Sequence, residues 1–157
     1  ALISFVDCDR QWFKSKVGLD ALEIPRAISF CGHTILQDDL FIVEDTLIDK
    51  RFADNPLVTG DPNIRFYAGA PIKTASGENV GTLCVIDSVP RHLLSAEKKC
   101  TLALSRQVAS QLELRLAANE ASSAHRAKSL FLATKFSSPN FISKRISGLS
   151  FPYVFIA

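Results

Sequence analysis

Apolar and polar positions alternate with a period of two at both ends of the first half of the chain, and this predicts strands. Leu2–Val6 and Gln11–Val17 read as a hairpin turned at Asp7-Cys8-Asp9-Arg10, with Trp12 and Lys14 on one face and Phe13 and Ser15 on the other. Gly18 to Pro25 reads as an exit loop, Phe30–Ile35 as a short helix and Leu40–Glu44 as a short strand. Asp45–Lys50 is a brief helical or looped segment with Asp45 or Thr46 as its cap. Asn55-Pro56-Leu57-Val58-Thr59-Gly60-Asp61-Pro62-Asn63 has too many turn residues for a strand interior and is a shaped loop. A second hairpin pairs Ile64–Thr74 with Val80–Val89 through Ala75-Ser76-Gly77-Glu78-Asn79. In it Thr82, Cys84 and Ile86 face one way and Leu83, Val85 and Asp87 the other, as expected of a central strand covered on both sides.

From Ser95 to Ala133 strong helix formers run without Gly or Pro. Leu102, Ala109 and Leu116 recur every seven residues, with Leu112 in the alternate apolar slot, and this seam predicts a helical dimer interface. The expected order is a helix that packs on its own domain over Leu102–Leu114 and then emerges as a stalk. The tail after Lys135 has Pro139, Gly148 and Pro152 at irregular intervals and is expected to be poorly ordered, with an edge strand at Tyr153–Ile156 as its one element. Gly69 and Gly81 sit inside strands, which implies a close approach there; the long helix is the expected neighbour.

Composition narrows the class without naming a function. In 157 residues, 47% are hydrophobic and 22% charged, the balance of a globular domain with a real core. The net charge of +2 is unevenly placed: residues from Glu120 onward carry +4, leaving −2 before them. No nucleic-acid reading motif accompanies the basic end, so no nucleic-acid partner is expected. No apolar run reaches the roughly 18–20 residues of a membrane span, and a cytoplasmic location is expected. Cys8, Cys31, Cys84 and Cys100 show no CxxC spacing, so neither a metal nor a cofactor is expected, and the thiols read as reduced and mostly buried. Cys31 and His33 lie too close in sequence to face one another as a catalytic pair, and His33 is expected to hydrogen-bond a loop.

Arg51-Phe52-Ala53-Asp54-Asn55-Pro56-Leu57-Val58, Ile64-Arg65-Phe66-Tyr67-Ala68-Gly69-Ala70-Pro71, Gly81-Thr82-Leu83-Cys84-Val85-Ile86-Asp87 and Pro90-Arg91 occur in the order and spacing of a GAF domain. The chain resembles that small-molecule-sensing family over residues 1–117. The resemblance implies an α+β, PAS-like fold with a central antiparallel sheet, flanking helices and a long C-terminal helix. It also places a helix before Ala1 and a ligand cavity under the loop between the hairpins. Candidate pocket residues are Phe30, His33, Phe52, Asn55, Arg65 and Tyr67, around an unknown small molecule. The cyclic-nucleotide signature of one GAF subgroup and the Cys-His dipeptide of bilin-binding members are absent.

Arg126-Ala127-Lys128-Ser129-Leu130-Phe131-Leu132-Ala133-Thr134 is similar to the lead-in to the phosphoacceptor helix of sensor histidine kinases, with Ser137 where that family has its His. A hydroxyl cannot replace the imidazole as the group phosphorylated there. This implies a GAF domain at 1–117, a signalling helix at 118–134 and a divergent tail at 135–157. The expected function is non-catalytic: a homodimeric sensory module of a two-component kinase, reaching a response regulator through the parent kinase. Alternatives are a ligand-free dimerisation module with its cavity filled by Phe30, Phe52 and Tyr67, an input domain of a cyclic-dinucleotide synthase, and a free methionine sulfoxide reductase.

Overall fold

The computed structural model describes the backbone of residues 1–136 and the side chains of 1–132. Six strands form one antiparallel sheet: β1 (Leu2–Val6), β2 (Arg10–Lys16), β3 (Glu23–Pro25), β4 (Phe41–Val43), β5 (Phe66–Lys73) and β6 (Asn79–Asp87). Their order is β3-β2-β1-β6-β5-β4, so the two predicted hairpins join through β1 and β6 at the centre. Helices are α1 (Phe30–Thr34), α2 (Pro56–Thr59) and α3 (Ser95–Phe136), with a 3₁₀ turn at Arg26–Ile28 before α1. Ala1–Glu113 packs as one compact unit; from Leu114 the chain belongs to a second, whose described part is the continuation of α3. The readings for Ser137 and the rest of the tail lie outside the described residues. Among those described, no helix is long and apolar enough to cross a membrane.

Two expected loops contain structure. The segment after Gly18 forms β3, which pairs with β2 at the sheet edge (Gln11 opposite Ile24) and is fastened by Arg10 and Glu23 at 2.8 Å. Pro25 is accommodated because an edge strand does not require its missing N–H. The loop at Asn55 contains the single turn α2, whose free Leu57 N–H donates to the Asn55 side chain at 2.9 Å.

Register sorts the side chains onto two faces. Leu2 pairs with Cys84, Cys84 with Gly69, and Tyr67 with both Val43 and Ile86, so these share one face. On that face α1, capped by the Ser29 hydroxyl accepting from Gly32 N–H at 2.9 Å, lays Phe30, Cys31 and Thr34 into the core. Phe52, Val58 and Ile64 from the connecting loops complete the core. On the other face of β5, Phe66, Ala68, Ala70 and Ile72 are equally buried. The stripe Thr101, Leu102, Ser105, Val108, Ala109 and Leu112 is the buried to half-buried side of α3, and Glu113 accepts from Ala75 N–H at 2.6 Å. In β6, by contrast, Thr82 and Cys84 are buried while Leu83, Val85 and Ile86 are only half-covered, so the expected cover on both faces is partial.

The strand glycines answer to different neighbours from the long helix. A Cβ on Gly69 would meet the Tyr67 hydroxyl, the Tyr67 ring at 2.7 Å and Thr34 Oγ1 at 2.9 Å, all on the α1 face. A Cβ on Gly81 would meet the Ser4 carbonyl and, at 3.0 Å, the Phe5 ring of β1.

Candidate functional site

The α1 face of the sheet does not close completely. Between it, α1 and the segments around Leu19 and Pro62 lies a cavity of about 340 Å³, within the usual range for a small-molecule site. Leu2, Tyr67 and Cys84 of the sheet and Cys31 of α1 line its inner end. Phe13, Phe30, Leu57, Ile64 and Ile86 form apolar walls, and Asp20 and Asp61 bring carboxylates. Among the described residues no Lys or Arg lines it. Gln11 contributes an amide whose carbonyl oxygen accepts from the Ser29 hydroxyl, which directs the remaining N–H₂ to other partners.

At the inner end, hydroxyls converge on one sulfur. Cys31 Sγ lies 2.9 Å from Thr82 Oγ1, 3.3 Å from Ser4 Oγ and 3.4 Å from Tyr67 Oη, and Thr34 Oγ1 is 2.7 Å from the same Tyr67 oxygen. Cys84 Sγ stands 3.8 Å away. Burial pushes the Cys31 thiol up, but hydrogen bonds from Cys84, Ser4, Thr82 and Tyr67 together outweigh it and bring its pKa down to about 6. The bond to Cys31 and then burial hold the Cys84 thiol well above its ordinary value. Burial, followed by the nearby sulfurs, likewise raises Tyr67.

Of the sequence-predicted pocket residues, Phe30 and Tyr67 line this cavity, their rings 5.1 Å apart. The other four lie elsewhere. Phe52 is fully buried behind Phe30, stacked at 4.2 Å, and serves as core. His33 lies on the exposed side of α1, its ring 5.0 Å from Phe52; burial and then the Arg51 charge lower its pKa. No hydrogen bond from its side chain to a loop is seen. Asn55 caps α2 and donates to Ile28 C=O at 2.9 Å, bracing the loop. Arg65 makes a two-point contact with Asp45 at 3.0 and 2.8 Å, locking the start of β5. On α3, Leu102, Ala109 and Leu112 are half-buried on the domain, while Leu116 is 62% exposed.

Sequence reasoning missed Gln11, Asp20, Asp61 and the sulfur pair. The alternation that put Thr82, Cys84 and Ile86 on one face was a usable signal for Cys84; nothing local in the sequence pointed Cys31 at it. The expectation of mostly buried thiols holds for Cys31 and Cys84, whereas Cys8 and Cys100 are exposed. Among the described residues no cluster of three or more His, Cys, Asp or Glu could hold a metal ion.

A cyclic di-GMP phosphodiesterase of Pseudomonas aeruginosa is 56% identical over 95 residues; the match covers 60% of this chain but only 16% of that protein. Among solved structures, a domain assigned to a two-component sensor histidine kinase of Sinorhizobium meliloti is similar with a TM-score of 0.56 at 17% identity, over 78% of this chain and 83% of that one. A type II free methionine-R-sulfoxide reductase from Thermoplasma acidophilum superposes with a TM-score of 0.56 at 14% identity, over 69% and 74%. At these identities the structural likenesses speak for the fold alone. The sequence profile of the GAF domain matches residues 2–116, in agreement with the sheet order, the covering helices and the enclosed cavity, and this chain belongs to the GAF domain family.

Proposed function

We propose that this chain is a non-catalytic sensory module that holds a small molecule in the cavity and passes its occupancy to an output domain through α3. The cavity carries this reading: about 340 Å³ remain open beside a well-packed aromatic core. Its chemistry narrows the ligand class. Apolar walls favour a compact aromatic or aliphatic body, and Asp20 and Asp61 favour a cationic or hydrogen-bond-donating group. With no basic side chain to meet a phosphate, an anionic nucleotide is a poor fit. The ligand-free alternative has the Phe30–Phe52 stack in its favour, but those rings leave the cavity unfilled.

For the output domain, the 56% identical relative favours cyclic-dinucleotide turnover, here as a phosphodiesterase, over a histidine kinase. The kinase reading, and with it a response regulator as partner, rests on residues 126–134 and a likeness of fold. Dimerisation through α3 beyond the domain is part of the proposal, with Leu116 as its exposed apolar contact.

Native mass spectrometry of the purified chain tests ligand retention directly. Ala21→Trp, at the cavity lining, is expected to abolish a retained small mass while leaving the fold intact by circular dichroism. In a longer protein carrying this chain, it should also change the rate of cyclic di-GMP hydrolysis. A parent chain with no retained mass, no thermal shift across a panel of cationic and neutral metabolites, and the same output rate as Ala21→Trp would overturn the sensory reading.

A further inference from the structure

Cys31 and Cys84 are 53 positions apart in sequence, yet α1 and β6 bring their sulfurs within 3.8 Å. A disulfide needs a separation of about 2.05 Å, so closing this gap takes an approach of about 1.8 Å. Both residues are almost entirely shielded, at 2% and 1% exposure, but both line the cavity, which gives a water-sized molecule a route to them.

The two sulfurs are chemically unequal. Each surrounding hydroxyl carries one proton to place. Thr34 can give its proton to Tyr67 at 2.7 Å in preference to the Phe30 carbonyl at 3.3 Å, and Ser4 and Thr82, 3.1 Å apart, can each turn theirs to the sulfur; Tyr67, Thr82 and Ser4 then all donate to Cys31, as can the Cys84 thiol. Cys31 is thereby set up as the acceptor and the more readily formed thiolate, and Cys84 as the donor that keeps its proton. That inequality makes Cys31 the first to react with an oxidant and leaves Cys84 reduced beside it to resolve the product.

We propose that Cys31 and Cys84 form a reversible dithiol–disulfide switch at the inner end of the cavity, oxidised by a small hydroperoxide. The Cys31 thiolate attacks one oxygen of H₂O₂; the S–O bond forms, the O–O bond breaks, and hydroxide leaves and takes a proton to become water. Cys31 is now a sulfenic acid, oxidised by two electrons. Cys84 gives up its proton and attacks Cys31 Sγ; the S–S bond forms, the S–O bond breaks, and the departing hydroxide takes that proton to leave as a second water. In sum, two thiols and one peroxide give one disulfide and two waters. A dithiol reductant restores the pair by exchange through a mixed disulfide. Closing the gap draws α1 towards the sheet, and α1 carries Phe30, a cavity wall. The switch uses the cavity only as a route and does not depend on which ligand the module senses.

The test uses the chain with its exposed thiols removed by Cys8→Ser and Cys100→Ser. One to two equivalents of H₂O₂ are added, and the protein is then denatured, alkylated and weighed intact. The expected result is loss of both free thiols, a mass lower by about 2 Da, a Cys31–Cys84 cross-linked peptide, and full recovery with dithiothreitol. Adding Cys84→Ala should stop the reaction at a Cys31 sulfenic acid, about 16 Da heavier and trapped by dimedone. Thr82→Val removes the shortest hydroxyl contact to Cys31 and should slow oxidation at pH 6 roughly fivefold as the thiolate fraction falls. The cross-link itself is read in the Cys8→Ser/Cys100→Ser protein and depends on neither extra substitution folding. Two thiols still free at a peroxide dose that oxidises the exposed cysteines of the unsubstituted chain would overturn the switch, as would a sulfinic acid at Cys31 with no cross-link.

Discussion

Gly69→Ala is the sharpest test of how the cavity end is held together. Gly69 lies two residues from Tyr67 on the same face of β5, and the Tyr67 side chain bends over it to reach Thr34 and Cys31. An added methyl would overlap the Tyr67 hydroxyl, sit 2.7 Å from the ring carbon that carries it, and lie 2.9 Å from Thr34 Oγ1. Neither neighbour is the loose end of a flexible chain, since Tyr67 is 1% and Thr34 0% exposed. Overpacking of this kind costs about 1–3 kcal/mol. Displacing the tyrosine also breaks its 2.7 Å bond to Thr34, adding about 1 kcal/mol for a buried hydroxyl pair. The expected loss is therefore about 2–4 kcal/mol, read as a lower urea midpoint with an unchanged slope.

A double-mutant cycle isolates the cause. In a Tyr67→Phe background the worst overlap disappears with the hydroxyl, but the ring and Thr34 remain close, so Gly69→Ala should cost about 1 kcal/mol less without becoming neutral. Gly77→Ala is the control. Its Cβ would meet nothing within 4 Å, but its φ of +92° strains a side-chain-bearing residue, so a loss of about 1–2 kcal/mol is expected, independent of Tyr67. If Gly69→Ala melts with the parent, or costs the same in both backgrounds, tyrosine packing is not the reason for that glycine.

Three further outcomes are expected. Thiolate absorbance near 240 nm in the Cys8→Ser/Cys100→Ser protein should rise through about pH 6 and vanish with Cys31→Ser; because this pKa is depressed on folding, its stabilising contribution is present above the unfolded thiol range and is lost as pH falls through about 6. Sedimentation should show a dimer that Leu116→Glu dissociates at unchanged thermal stability, whereas Leu112→Glu, half-buried on the domain, should lower the melting temperature. Phe52→Ala, which removes a ring 1% exposed and stacked on Phe30, should cost about 3–5 kcal/mol by chemical denaturation.

The fold was legible because its signals are local and redundant. Alternation placed Thr82, Cys84 and Ile86 together, Gly77 marked the turn of the second hairpin, and the Gly-free run after Ser95 is one helix. Strand β3 was not legible: Glu23-Ile24-Pro25 is too short for a period, and it is held by long-range pairing to β2 and by Arg10. The site was only partly legible for the same reason. Phe30 and Tyr67 were identifiable as large aromatics near the expected cavity, but so was Phe52, and only the packed structure shows that Phe52 stands behind Phe30. Arg65 is placed next to Tyr67 by sequence, yet its pairing with Asp45 turns it to other work. The seven-residue seam had two readings along its length. Up to Leu112 its residues are half-buried on the domain, and Ser105, absent from any apolar pattern, is the most buried residue of that stretch.

The relay proposed from the cavity to α3 runs through β5. Every residue from Phe66 to Ile72 is buried, because the strand is packed on both faces. Tyr67 and Gly69 look towards α1 and the cavity, while Ala68 and Ala70, at 0% exposure, look towards the opposite face. The side chains on that second face are small and fully buried, so a displacement of the strand has little soft material to absorb it. Glu113 adds a directed contact, since its carboxylate holds the Ala75 N–H of the hairpin that ends β5. In the proposed module, a ligand pressing on Tyr67 therefore acts on a strand that is buried on both faces and is followed by the Ala75 N–H that Glu113 of α3 holds. The helix that carries Glu113 continues unbroken to Phe136.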